Sequence, residues 1–258
     1  LENCIKDSKT YKEIIQKLGL KVGASSYNTL KTYLSKYNII ICDPPWSFSD
    51  SLKMSDTPRG ASDQYPVMSN SDIKNLKIKE LAGDNAILAL WVPSSLLSLG
   101  SELMKHWGFK QTQTWIWVKS KKDPLGSLKK QINNFLKPSL SDKDKKININ
   151  QALDSFSLND SLGFGMGRLF RQCHEICLIG VKGKIYPDLK NKSQRSVYFA
   201  PNWKHSAKPE GLQDRLELMF PNPDKKIEIF SRRNRNGWTC IGNEITKEDI
   251  TVSIEKLL

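Results

Sequence analysis

Asp43, Pro44, Pro45 and Trp46 place an acid, two imino acids and an indole directly after the apolar run "NIIIC". Proline fixes φ and removes the backbone donor. The turn therefore offers two acceptors held stiff, the Asp43 carboxylate and the Pro44 carbonyl, with no amide expected to compete for that carbonyl. Trp46 adds a flat face beside them. The complement of such a pair is an NH2 group on a planar ring, as adenine carries. That amine is a weak nucleophile because its lone pair is delocalised into the ring. Acceptors on both of its hydrogens orient the group, favour pyramidal nitrogen and stabilise the positive charge that develops as nitrogen attacks an electrophile. The blander alternative is a turn whose acid caps a helix and whose tryptophan is core. Context favours the chemical reading, since a buried strand precedes the motif and a polar segment follows it.

The elements that must position this turn are legible from apolar patterning. "NIIIC" is a continuous apolar run, expected to be a central parallel strand buried on both faces. "AILALWV", "TQTWIWVK", "EICLIGV" and "KIEIFS" read as further strands. "LLSLGSELMKHWG" and "GLQDRLELMF" repeat apolar residues at helical spacing. Alternation of strands and helices predicts an α/β doubly wound sheet, in which ligands bind beyond the carboxyl ends of the strands. Residues 1–36 read as a small helical N-terminal extension. Tyr11, Ile14, Ile15 and Leu18 share one helical face, Gly19 and Gly23 break it, and Ser25 or Ser26 can cap a second helix carrying Tyr27, Leu30, Tyr33 and Leu34. Such a pair is either a DNA-reading helix-turn-helix or, more commonly, a packing or partner-docking extension. Residues 37–258 form the main domain. A lysine-rich insertion at about 120–160 shows no clear period and is expected to contact a phosphate backbone or to be a solvated tether.

Net charge is +13, from 40 Lys and Arg against 27 acids. An excess of this size draws polyanions, so nucleic acid is the expected partner, with lysine-biased solubility as the alternative. No apolar run approaches the roughly 20 residues of a membrane helix, and no basic-then-apolar leader opens the chain at Leu1. The first residue is not Met, in keeping with a fragment. Cys4, Cys42, Cys173, Cys177 and Cys240 form no CxxC and leave one cysteine over, which fits a reducing intracellular compartment.

Several motifs invite readings that their surroundings weaken. "GFGMG" (163–167) is not preceded by an apolar strand, so it reads as a flexible lead-in near substrate rather than a nucleotide loop. Cys173, His174 and Cys177 offer three ligands running into a strand, not the four that zinc wants, and no metal is expected. Trp115 and Trp117 fall on one face of a strand and read as packing under a helix. Trp91, near a strand end, reads as part of a pocket. In "RRNR" (232–235), Arg233 and Arg235 are candidates to face nucleic acid.

The motif and four further blocks, in order, carry a resemblance. "DPPW", "LALWVPSSLLSLGSELMKHWGFKQTQTWIWVK", "CHEICLIGVKG", "HSAKPEGLQDRLELMFP" and "KIEIFSRRNRNGWTCIGNE" resemble the DPPW-type adenine-N6 methyltransferase family. That family includes the eukaryotic messenger-RNA N6-adenosine methyltransferase catalytic subunit and several DNA-acting branches. The likeness runs over roughly Tyr37 to Glu244 without the insertion. It implies a Rossmann-like fold dependent on S-adenosylmethionine, with product S-adenosylhomocysteine, and a permuted motif order in which the catalytic DPPW comes early and the cofactor strand late. By resemblance, Asp43 and Pro44 hold the target amine, with Pro45 and Trp46 completing the catalytic motif. Tyr65, Trp91 and Glu175 fall on the substrate side. Asp43, Lys208, Phe230, Arg232, Asn234, Asn243 and Glu244 match cofactor contacts. Glu244 stands where the family often has Gln, and His205 lies three residues before Lys208 rather than beside it. The blocks look at least as close to the DNA-acting branches of unicellular eukaryotes and microbes as to the messenger-RNA enzyme. The expectation is therefore N6-adenine methylation of DNA in the nucleus of a eukaryotic cell, with RNA as the alternative substrate. Expected partners are a catalytically silent paralogous subunit and small DNA-binding subunits. A non-catalytic nucleic-acid-binding scaffold of the same fold is the further alternative.

Overall fold

The computed structural model describes residues 10–19, 21–23, 26, 36–47, 67–136, 138–163, 165, 169–202, 207–221 and 225–258. Seven strands form one sheet: β1 (Tyr37–Cys42), β2 (Ala82–Val92), β3 (Lys110–Ser120), β4 (His174–Lys182), β5 (Val197–Pro201), β6 (Lys226–Ile229) and β7 (Thr239–Ile241). Their spatial order is β5-β3-β4-β2-β1-β6-β7. β1 is parallel to both neighbours, with Ile41 opposite Ala89 on one side and Glu228 on the other. The expected central strand is thus observed. β4 departs from an all-parallel reading: it runs antiparallel to β2 and to β3. β5, a five-residue edge strand, was too short to stand out from the sequence.

The continuous apolar run of β1 has two faces to fill. Ile40 and Cys42 enter one core, Ile39 and Ile41 the other. Each fully buried isoleucine contributes about 2 kcal/mol. The first core lies under α2 (Asn70–Lys74), α3 (Ile78–Leu81), α4 (Leu97–His106) and the C-terminal α9 (Ile250–Glu255); the second lies under α7 (Gly211–Met219). α4 sits close to the sheet because Gly100 lacks a side chain: a Cβ there would lie 2.7 Å from Val92 Cγ2. Trp115 and Trp117 both join the second core, and Trp117 Nε1–H donates to the Ala200 carbonyl at 2.9 Å. The result is an α/β, Rossmann-like layered sheet with DPPW following the early central strand and β6, the late strand, beside it.

At the N-terminus, α1 (Tyr11–Lys17) is capped by Thr10, whose hydroxyl accepts the Glu13 amide. The second expected helix lies outside the described residues apart from Ser26. The insertion is not a structureless tether. It folds as a hairpin of α5 (Gly126–Phe135) and α6 (Asp142–Ser155), which pack against each other. Ser141 starts α6 by accepting the Asp144 amide at 3.2 Å. No helix among the described residues is long and apolar enough to cross a membrane.

Candidate active site

β1, β2, β3 and β6 point the same way, so their carboxyl ends meet at one edge of the sheet. The reversed β4 brings its first residues, His174 and Glu175, to that same edge. A cavity of about 870 Å³ opens there. Asp43, Pro44, Pro45 and Trp46 reach it from the end of β1, Trp91 from β2, and Glu175 from β4. Lys208 precedes α7, Phe230 and Arg232 follow β6, and Asn243 and Glu244 begin α8 (Asn243–Thr246); all five line the cavity as well. Asn234 is exposed on the turn after β6 and does not line it. Tyr65 and His205 lie outside the described residues.

Lys208 is the hub of the charged groups. Its ammonium donates to both Asp43 oxygens, at 3.0 and 2.8 Å, and lies 3.1 Å from Glu175. Glu175 also meets Lys119 at 2.8 Å. The Lys208 ammonium sits 5.3 Å from the centre of the Trp91 ring, within cation–π range. Two acids and two lysines thus form one chain of alternating sign, and their pKa values diverge. Burial pushes the Asp43 carboxyl above the usual range, with Lys208 offsetting this only in part. Burial acts in the same direction on Glu175, but there Lys208 and Lys119 prevail and the carboxyl is held low. For Lys208 burial favours the neutral amine, yet the two carboxylates outweigh it and the ammonium is retained. Acids driven apart in this way within a cleft mark a functional site.

The turn itself differs from expectation at two points. The Trp46 amide donates to the Pro44 carbonyl at 2.9 Å, so an amide does compete for that acceptor. The cause is geometric: a tight turn around Pro45 brings residue 46 back toward residue 44. One of the two lone pairs on the Pro44 carbonyl remains for a ligand. Trp46 is only 4% exposed, and its Nε1–H donates to the Trp91 carbonyl at 2.9 Å. It edges the cavity, but its indole is a brace between the ends of β1 and β2 more than an open stacking face. The Met68 amide donates to the Pro45 carbonyl at 2.9 Å and holds the far side of the turn.

Beside the turn, at the end of the neighbouring strand β6, Phe230 adopts φ 65°, a left-handed conformation costly for a residue with a Cβ. It is held by the backbone that follows. The Ser231 amide donates to the Ile241 carbonyl at 2.9 Å, and Gly242 passes so close that a Cβ would lie 2.3 Å from the Ser231 carbonyl oxygen. Strain maintained at a cavity wall is a second mark of function. Arg232 lies 3.6 Å from Glu244 at the open end.

Arg233 and Arg235 both pair with acids of this chain. Arg235 reaches Glu210 at 2.8 Å and Asp214 and Glu217 at 2.7 Å each; Arg233 reaches Glu210 at 2.7 Å and the Lys208 carbonyl at 3.1 Å. Both tie the turn after β6 to α7, whose first turns are acidic. Gly163 and Gly165 of "GFGMG" line the cavity, and the Gly163 amide donates to the Lys119 carbonyl at 2.6 Å. Cys177 is buried, and burial pushes its thiol pKa well up. Among the described residues no group of three or more His, Cys, Asp or Glu is arranged to hold a metal. Sequence reasoning missed Lys119, Ser120, Lys121, Lys122, Gln172, Asn202 and Ser231, all of which line the cavity. The position of Lys119 at the carboxyl end of a predicted strand was a signal that could have found the first four.

Residues 37–140 and 154–244 match MT-A70. An N(6)-adenosine-methyltransferase MT-A70-like protein of Arabidopsis thaliana is 23% identical over 214 residues, 82% of this chain and 24% of that protein. The N(6)-adenosine-methyltransferase catalytic subunit METTL3 of Homo sapiens is 24% identical, over 82% of this chain and 29% of its own length. The type II methyltransferase M.MunI of a Mycoplasma species is 23% identical over 84% of this chain and 81% of its own length. The chain thus spans about a quarter of the first two relatives. The family match covers most of the chain and runs from the first residue of β1 to the last cavity residue, Glu244, so the chain belongs to the MT-A70 family.

Proposed function

We propose that this chain transfers the methyl group of S-adenosylmethionine to the N6 amino group of adenine in DNA. The observation that carries the reading is the Asp43 carboxylate and the Pro44 carbonyl on one braced turn at the wall of a cavity, beside the strained backbone that ends β6. The residues present suit the cofactor. Lys208 offers an ammonium for its carboxylate end, Phe230 an apolar wall, and Arg232, Asn243 and Glu244 polar groups for its sugar and base. Bound there, S-adenosylmethionine supplies an electrophilic methyl group and leaves as S-adenosylhomocysteine. Asp43 and the free lone pair of Pro44 accept the two amine hydrogens and turn the nitrogen lone pair toward the electrophile. As nitrogen becomes positive, Asp43 stabilises it, and the proton is then acidic enough to be lost. Lys208 keeps the buried Asp43 ionised and oriented until substrate arrives. The amine is inaccessible inside a stacked duplex, so the base is read single-stranded or flipped out.

DNA is favoured by the block resemblance and by the type II methyltransferase, the one of the three named relatives matched over most of its own length. The N(6)-adenosine-methyltransferases among the relatives support RNA as the second reading. A paralogous, catalytically silent subunit and small DNA-binding subunits are proposed as partners from the resemblance alone. The test is incubation with methyl-labelled cofactor and matched DNA and RNA oligonucleotides, with co-purifying proteins added back. Label in adenine N6 of DNA above RNA is the expected result; label in RNA alone reverses the substrate assignment. Asp43→Ala lowers the rate at least about 100-fold, the size of losing one preorganised polar contact. Absence of calorimetric binding of S-adenosylmethionine, alone or with partners, would favour the scaffold alternative.

A further inference from the structure

We propose that Lys121, Lys122 and the α5–α6 hairpin form a rest for the phosphate backbone of the strand that carries the target base. The inference rests on the nucleic-acid reading above and adds a surface to it. β3 ends at Ser120, and the next two residues, Lys121 and Lys122, line the same cavity as Asp43. Both are exposed, and among the described residues no carboxylate pairs with either. Their neighbour Lys119 has a different assignment: it meets Glu175 and lies 5.3 Å from the Trp117 ring. Two uncompensated ammonium groups lining a cavity of about 870 Å³, room for cofactor and target base together, suit a phosphate on the nucleotide next to the one inside.

The hairpin continues this surface outward. Its root is fixed at the rim, where the Lys121 amide donates to the Ser161 carbonyl at 2.9 Å and the Ser161 hydroxyl to the Pro124 carbonyl at 3.0 Å. The helices beyond are barely part of the core: α5 has no buried residue and α6 has one, Ala152. Burial therefore explains little of why the hairpin is there. Lys129 pairs with Asp123 and Lys145 with Asp142, whereas Lys130, Lys143 and Lys146 are exposed and have no such pair among the described residues. Ten helical residues span about 15 Å, the length of about four nucleotides at 3.4 Å each. The family match stops at residue 140 and resumes at 154, so most of α6 falls outside what the chain shares with its family. Leu136, Ile147 and Leu153 are also exposed on the hairpin and would suit a protein partner. The cluster of uncompensated lysines at the cavity mouth favours nucleic acid.

The test compares the full chain with Lys121→Gln/Lys122→Gln, with the Arg pair at the same positions, and with a chain whose residues 126–155 are replaced by a short Gly-Ser linker. The Kd for a single-stranded oligonucleotide is measured against salt concentration, and S-adenosylmethionine affinity is measured alongside by calorimetry. The Gln pair is expected to lessen the slope of log K against log salt by about 1.4, two phosphates at about 0.7 each. The Arg pair restores the slope, the linker lessens it further, and cofactor affinity is unchanged in all. A slope untouched by the Gln pair overturns the proposal, as does failure of the unaltered chain to bind the oligonucleotide. So does a linker variant that keeps its slope but loses a co-purifying protein. If binding behaves as expected but no methyl is transferred, the rest stands and the proposed activity fails. Transfer with an untouched slope has the opposite meaning.

Discussion

Two ion networks lie near α7 and β6, both made of carboxylates and cations at similar distances, and they differ in where their acids end up. In one, Arg235 joins Glu210, Asp214 and Glu217, and Glu217 also accepts Trp238 Nε1–H at 2.7 Å and meets Lys226 at 2.6 Å. Burial acts against the Glu217 charge, but the Lys226, Arg235 and Trp238 donors outweigh it and hold the carboxyl at about 2. In the other, Lys208 is the one side chain among the described residues that donates to Asp43; it is shared with Glu175, and burial drives the Asp43 carboxyl upward. Glu217 accepts from Lys226, Arg235 and Trp238, whereas Asp43, at a cavity wall, has fewer donors among the described residues and keeps capacity for a ligand. A strong ion pair by itself identifies neither role. Between these two acids the sign of the shift follows the difference, Glu217 held low by its donors and Asp43 pushed up by burial, while Glu175 of the cavity is held low by its two lysines.

Substitutions can break that contrast. Asp43→Ala is expected to lose at least about 100-fold in rate with no loss of stability, since a carboxylate whose ionised form is disfavoured in the fold is removed and Lys208 keeps Glu175. Unfolding midpoints in urea beside single-turnover rates check this; a large drop in midpoint would put Asp43 in the same class as Glu217. Arg235→Ala is expected to do the reverse. It removes one cation from three partly exposed carboxylates, of which Glu210 keeps Arg233 and Glu217 keeps Lys226, and costs about 1 kcal/mol, a fall in Tm of roughly 2–4 °C for a domain of this size. The folded fraction keeps its cofactor affinity within a few-fold. Trp46→Phe sits between the two. It leaves the Trp91 carbonyl without its donor at about 1–2 kcal/mol and loosens the turn, so stability and rate fall together.

What could be read from the sequence follows the same division. Asp43, Lys208 and Glu175 stood out because their blocks carry family-wide patterns, and β1 because both its faces are buried. The pairing of Arg233 and Arg235 was not legible because the acids that meet them, at and within α7, lie more than ten residues earlier and come close only on folding. The role of Trp46 was hidden for a similar reason: its partner is a backbone carbonyl 45 residues away. The hairpin escaped because the apolar positions of α5, Leu128, Ile132 and Phe135, are diluted by lysine and asparagine, and α6 is more polar still. The reversal of β4 leaves no trace in patterning, since a strand buried on both faces reads alike in either direction.

The smallest effect, and the finest test of the contrast, lies in pH. Glu217 is ordinarily near 4.5 and is held at about 2 in the fold. The unfolded chain therefore takes up the proton first, and the stability Glu217 contributes is complete above about 4.5 and lost as pH falls toward about 2. Because the group is partly exposed, the contribution is modest and shrinks with salt. Asp43 has the opposite sign: its ordinary value is 3.8 and its folded value is higher. The folded chain binds that proton first, so Asp43 detracts from stability as pH rises through 3.8, while activity is lost on acidification before an ordinary aspartate would protonate. Between pH 5 and 2 the rise of the urea midpoint with pH should become shallower in Glu217→Gln and steeper in Asp43→Asn. The acidic limb of kcat/KM should remain in Glu217→Gln. If the Glu217 substitution instead moved that limb, the two networks would be coupled through Glu210 and Arg233, and the division between scaffold and site drawn from their pKa signs would fail.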